Sequence, residues 1–180
     1  MAGDLRKWLR YYSVFAPLAR LPLAWAYAGA AGVGRYDRYR VGPGRQAVAD
    51  GIQRVFGAGC PADQARRWAD ANLAMLARET LDVFTLPRFT PDSIERLVRL
   101  DSIEPLRAAG ADGRGVILVM AHYSRLNMLL LALALAGERL GMLTMAIDES
   151  NPWLGPVDRR FLQRKVHGLL ARLGGRWVTL

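Results

Sequence analysis

Apolar residues along this chain first run almost unbroken, then recur at helical spacing, then alternate in short blocks with helical stretches. The unbroken run is YYSVFAPLARLPLAWAYAGAAGVG, residues 11–34, bracketed by Arg6, Lys7 and Arg10 before it and by Arg35, Arg38 and Arg40 after it. Fully helical, it would reach roughly 36 Å, the thickness of a bilayer core. Arg20 in its middle and Pro17 and Pro22 in its first half oppose a clean span. The pattern predicts a membrane-associated segment lying at the interface, with a spanning helix and a buried core helix as the alternatives.

Helical spacing takes over after the Gly/Pro-rich VGPGRQ, residues 41–46, which reads as a break between the anchor and the rest. Residues 47–56 and 62–84 are amphipathic, and in the second stretch Trp68, Leu73, Leu76 and Val83 form the expected core stripe. Thr90 and Pro91 read as the cap and first residue of a short helix. Beyond them come a possible strand at 97–101, a helix from Ser102 to Ala109 and the strand VILVMA, 116–121, which has no polar interruption. A helix from about Ser124 to Ala136, a strand at 141–147, a basic helix from about Pro156 to Leu173 and a last strand in RWVTL complete the chain. Alternating strands and helices predict an α/β layer with a mainly parallel sheet flanked by helices. The expected organisation is a membrane-associated segment over 1–45 and an α/β domain over 46–180.

Composition narrows the chemistry. The single cysteine, Cys60, excludes an internal disulfide framework and a multi-cysteine metal site, and its place before Pro61 reads as structural. The net charge of +9 is concentrated at the ends, with eight Lys/Arg in residues 1–45 and six in 151–180. Basic ends flanking apolar segments fit an anionic lipid surface or an acidic protein; no recognition motif accompanies the charge, so no nucleic-acid partner is expected.

One seam concentrates the candidate chemistry. His122 is the first residue past the 116–121 strand, where ligands bind in a parallel α/β layer. Ser124 can cap the next helix, and Asn127 lies close enough in sequence to meet the His122 ring if that ring folds back over the first helical turn. A histidine with a polar orienting partner beside a helix amino terminus has the parts of a general base acting on a hydroxyl; a structural histidine bonded to the turn is the other reading. Arg125, a cation in a first turn, opposes the helix dipole and so either faces solvent or answers an anion.

These residues, with RLPLAWAYAGAAGVGR, ARRWADANLAMLARETLDVFTLPRFTPDSIERLVRL, GRGVILVMAH and NPWLGPVDRRFLQRKVHGLLARLGG, are familiar in their order and spacing. The chain resembles the late acyltransferases of bacterial lipid A synthesis, within the lysophospholipid acyltransferase superfamily. The resemblance implies an acyltransferase-like fold at the cytoplasmic face of the bacterial inner membrane, with the family's C-terminal part missing from these 180 residues, as in a fragment or in a shortened relative. It implies transfer of an acyl chain from acyl carrier protein or coenzyme A, as co-substrate and without further cofactor or metal, to a lipid or glycolipid hydroxyl. His122 then matches the family's base, and Asn127 stands where the family has Asp or Glu. Ser124 and Arg125 become candidates for substrate binding, and Arg159, Arg160, Arg164 and Lys165 for docking an acidic carrier protein. Where the family commonly has an arginine before an Asn-Pro pair, this chain has Asp148 and Glu149 before Asn151 and Pro152. A catalytically weak relative that binds lipid or a partner at the membrane is the alternative implied by these departures.

Overall fold

Pro17 and Pro22 decide the shape of the N-terminal segment. In the computed structural model, which describes residues 2–40, 42–120 and 125–179, the apolar run is folded into pieces. Helix α1 (Ala2–Trp8) leads into a π-helical stretch, Leu9–Phe15, and a single turn α2 (Ala16–Leu18) with Pro17 in it. The chain then turns through Ala19 to Leu21, leaving carbonyls that no helix can satisfy. Arg88 supplies the missing donors, to the Ala19 carbonyl and, at 2.7 Å, to that of Leu21. After Pro22 the long helix α3 (Leu23–Arg40) begins. No helix among the described residues is long and apolar enough to cross a membrane.

Small residues set the packing of α3 against the two long helices after it. Helix α4 (Gly42–Phe56) begins inside the expected Gly/Pro break, because Pro43 falls in a first turn, where its missing N–H costs nothing. Helix α5 (Ala62–Thr85) is flanked by α3 and α4. Ala26 and Ala30 of α3 share a buried cluster with Ala77, Leu81 and Phe84 of α5, and Gly34 comes so near that a Cβ on it would lie 2.5 Å from Ala74 Cα. On the α4 side Ala49 meets Cys60, Ala65 and Ala69, which gives the buried cysteine a packing role. The expected core stripe is therefore corrected in part: Val83 is buried and Leu73 partly so, but Trp68 is 41% exposed and Leu76 45%, and Ala65, Ala69 and Ala77 are buried instead. Backbones can approach closely only where side chains are small, so the closest seams bury the smallest residues.

A second cluster forms around Leu86, Phe89 and Ile94, the last in helix α6 (Pro91–Glu95). Thr90 caps that helix as the sequence predicts, with a reciprocal box to Ser93. Helix α7 (Glu104–Gly110) follows; α8 (Leu126–Leu135) and α9 (Pro156–Leu173) contribute Met128, Leu131, Leu169 and Leu173 to this cluster. Strands β1 (Leu140–Thr144) and β2 (Gly174–Thr179) pair in parallel, Leu143 opposite Val178, with α9 as the crossover between them. Gly174, at φ +67°, ends α9 and turns the chain directly into β2.

The sheet is smaller than the sequence predicts. The protein is mostly helical with a small sheet; the pairing is parallel, as expected, and the correction concerns its extent, two strands among the described residues. Residues 97–101 form a turn and an irregular stretch, with Leu97 and Leu100 exposed. Residues 116–120 are irregular too, and Ile117 and Val119 are 90% and 88% exposed. A strand exists only through its neighbour's hydrogen bonds, and among the described residues no neighbour pairs with this segment.

Candidate active site

His122 and Ser124 lie outside the described residues, as does residue 121, the end of the strand expected over 116–121. The described part of the seam begins at Arg125, the residue that caps α8, and Asn127 is the second residue of that helix. Asn127 is buried, and its Nδ2 has no hydrogen-bond partner among the described residues. A buried amide left unpaired costs about 1–3 kcal/mol, so an orphaned donor of this kind marks a place where a partner belongs.

Arg125 is paired with an acid that the sequence reading did not single out. Its Nε and Nη2 donate to the two carboxylate oxygens of Asp82 at 2.7 and 2.5 Å. Asp82 is 0% exposed, on the α5 turn between Leu81 and Val83. Tyr27 of α3 donates its phenol to the same carboxylate at 2.7 Å, and its ring lies under the Arg125 guanidinium, 4.6 Å from Cζ to centroid. Three helices thus meet on one carboxylate, and Tyr27 packs against both main clusters.

The electrostatics follow from that burial. Loss of solvent pushes the Asp82 carboxyl up, against the downward pull of the bonds from Arg125 and Tyr27. Burial works on Arg125 in the opposite sense, but the bonds and charge of Asp82 carry the guanidinium above its ordinary value. Burial, then the charge of Asp82, raises Tyr27 as well, so its phenol stays a donor. The two-pronged contact is the geometry of a guanidinium on a carboxylate, in which each group offsets the other's desolvation. Arg125 therefore answers an anion inside the protein.

The basic helix α9 is also engaged internally. Lys165 pairs with Glu79 of α5 at 3.1 Å, and Arg159 donates to the Leu154 carbonyl at 3.3 Å and lies 3.8 Å from Glu149. Arg160 and Arg164 are exposed, with their guanidiniums over the rings of Tyr12 and Phe84 at 5.6 and 5.0 Å. Ahead of α9, the buried Asn151 holds the turn by donating to the Ala146 carbonyl at 2.9 Å and accepting from the Trp153 N–H at 3.0 Å. Asp148 is held below the usual carboxylate range by the Ser150 hydroxyl and N–H. Among the described residues no group of His, Cys, Asp or Glu could hold a metal ion.

What the described seam offers chemically is a buried amide at the start of α8 and a buried ion pair that fixes that start to α5. Asp82 and Tyr27 were open to detection only as polar residues in apolar blocks, LDVF and LAWAYAGA. The model of a family described as bacterial lipid A biosynthesis acyltransferase matches residues 4–168. No curated protein and no solved structure gives a match.

Proposed function

The chain belongs to the bacterial lipid A biosynthesis acyltransferase family, whose activity is acyl transfer, and on that premise we propose that it moves an acyl chain from acyl carrier protein or coenzyme A to a lipid or glycolipid hydroxyl. The family match over residues 4–168 carries this reading. His122 takes the proton of the acceptor hydroxyl, and the oxygen attacks the thioester carbonyl. The new ester C–O bond forms as the C–S bond breaks, and the departing thiolate recovers the proton from the imidazolium.

Asn127 orients the His122 ring in this proposal, and its buried Nδ2, without a partner among the described residues, supports the presence of a partner there. Its amide has no charge with which to stabilise the imidazolium. In a Ser-His-Asp enzyme the corresponding Asp to Asn exchange lowers turnover by roughly 10⁴. That observation favours the second reading, a catalytically weak relative that binds lipid or a partner at the membrane.

Membrane association at the cytoplasmic face of the inner membrane is part of the proposal. Trp8, Leu9, Val14, Leu21, Trp25 and Tyr36 are exposed in a segment that also carries eight Lys/Arg by residue 45, the composition of an interfacial surface on anionic lipid. Ser124 and Arg125 stand near the acceptor in this reading. Of the four α9 residues proposed to dock the carrier, Arg160 and Arg164 are the exposed pair; Arg159 and Lys165 already have carboxylate neighbours.

Thioester release from acylated carrier protein by membranes containing the natural chain, His122→Ala or Asn127→Asp tests the chemistry. Release is expected from the natural chain, none from His122→Ala, and a gain of at least tenfold from Asn127→Asp. No release by the natural chain together with none by Asn127→Asp leaves the binding-protein reading. Release that survives His122→Ala overturns the role of His122.

A further inference from the structure

Helix α8 carries Asn127 in its first turn, and its own sequence does little to fix where that turn stands. Arg125 occupies the cap position without a side-chain cap, and the first turn has no acidic residue to answer the helix dipole. Met128, Leu130, Leu131, Ala132 and Leu133 are all buried, and at about 100° per residue they lie right round the helix axis. Apolar burial is non-directional, so a helix that is apolar on every side is held in the core without being held in rotation or register. The directional contact comes from outside the helix. Arg125 Nε and Nη2 reach the two carboxylate oxygens of Asp82, which also accepts from the Tyr27 phenol. Asp82 stands on a fixed mount: α5 packs Ala77 and Leu81 against α3, and its Glu79 accepts from Lys165 of α9 at 3.1 Å.

We propose that Asp82 is a positioning residue: through its two-pronged hold on Arg125 it sets the rotation and register of α8, and so places Asn127, and with Asn127 the His122 ring, for acyl transfer. Stability does not account for the pair, because a buried ion pair gains little over well-packed apolar side chains of the same volume. What the pair supplies is a single geometry, since a guanidinium meets both oxygens of a carboxylate in one plane only. Arg125 lies two residues before Asn127 and three after His122, so a displacement at Arg125 carries both along. A misplacement of about 1 Å, caused at a distance from the chemistry, costs on the order of a hundredfold in rate. The proposal rests on the acyl-transfer reading for its effect on rate; the placement of His122 is observed separately.

Three variants of the full chain test it. Asp82→Asn keeps the shape and removes the charge. Asp82→Leu with Arg125→Met removes the directed contact but leaves the charge balanced and the joint apolar, so it decides the matter where the first variant does not fold. Gly34→Ala strains the α3–α5 seam against Ala74 without touching α8, and controls for a general loosening of α5. Thioester release is measured at saturating acceptor, below the melting temperature of each variant. In both Asp82 variants kcat is expected to fall about tenfold to a hundredfold while KM for the acylated carrier stays as it was; Gly34→Ala is expected to keep its kcat. The chain has two histidines, so spectra of protein labelled with ¹⁵N-histidine carry two imidazoles, which His122→Gln assigns. In both Asp82 variants the His122 ring signals are expected to move and those of His167, on α9, to stay. Full kcat in the Asp82→Leu, Arg125→Met variant overturns the proposal, because a merely structural pair is replaced without loss of rate. So does a fall in kcat for Gly34→Ala as large as that for Asp82→Asn, and so do His122 signals that stay in place. Should the natural chain release no acyl group, acyl transfer fails, and the His122 signals alone decide whether Asp82 places the seam.

Discussion

The α3–α5 pair and the β1–β2 pair both bring backbones together at glycines, yet one is closed and the other open. On α3, a Cβ at Gly34 would lie 2.5 Å from Ala74 Cα; on β2, one at Gly175 would run into the Leu140 carbonyl. Around the helical contact Ala26, Ala30, Ala77 and Leu81 are fully buried. Around the strand contact Leu143, Met145 and Val178 are exposed, and the apolar 116–119 segment is exposed as well. The α3–α5 seam buries its apolar residues within itself, while the outer faces of the same helices keep Trp25, Tyr36 and Trp68 exposed. The sheet half keeps apolar surface on the outside, close in sequence to His122 and Asn127.

The largest expected effect lies at the polar joint between the two regions. Asp82→Leu leaves the part-buried Arg125 without its anion and should lower stability by about 3–5 kcal/mol. Adding Arg125→Met should recover most of that loss, because a buried ion pair is often replaced by apolar side chains at little cost. Urea unfolding of both single variants and the double variant measures the cycle. If the double variant is as unstable as Asp82→Leu alone, the carboxylate holds Tyr27 or the turn of α5 more than it holds Arg125. The joint would then belong to the helical half alone.

Closure of the α3–α5 seam predicts opposite signs for two neighbouring glycines. Gly34→Ala drives a methyl into the α5 backbone and should cost about 2 kcal/mol, since overpacking a tight seam costs roughly 1–3 kcal/mol. Gly32→Ala, on the same helix, meets nothing within 4 Å and should stabilise by roughly 0.5–1 kcal/mol through helix propensity. Thermal melts of the two variants decide this. A loss at both positions would mean that the open face of α3 is covered by something in solution.

Different physics explains why some of these features were legible in the sequence and others were not. Helix α9 was legible at both ends, because Pro156 starts it and Gly174 stops it, and Thr90 with Pro91 marked α6 equally well. These are local devices. The face of α5 was misread because hydrophobic spacing weighs large residues, and Trp68 and Leu76 drew the stripe away from Ala69 and Ala77. Where two helices approach closely, small side chains are the buried ones, and their sequence signal is faint. The Asp82 site was invisible for a further reason: its partners lie 43 and 55 residues away, and each residue alone reads as a polar interruption. The 116–121 run shows the converse failure. Its composition is that of a buried strand, and among the described residues 116–120 have no neighbour to pair with.

The smallest expected effect tests the open half. Ile117, 90% exposed, makes little contact that a lysine would remove, so Ile117→Lys should change stability by less than about 0.5 kcal/mol. Its solubility should nevertheless rise, because an exposed apolar stretch with free backbone groups invites pairing with another chain, and an added charge discourages it. Light scattering against concentration and a urea melt on the same sample separate the two effects. Unchanged scattering with unchanged stability would mean that this stretch does not drive association. A loss of more than about 1 kcal/mol would mean that Ile117 is buried in solution, and the contrast between the closed α3–α5 seam and the open surroundings of the β1–β2 pair would fail.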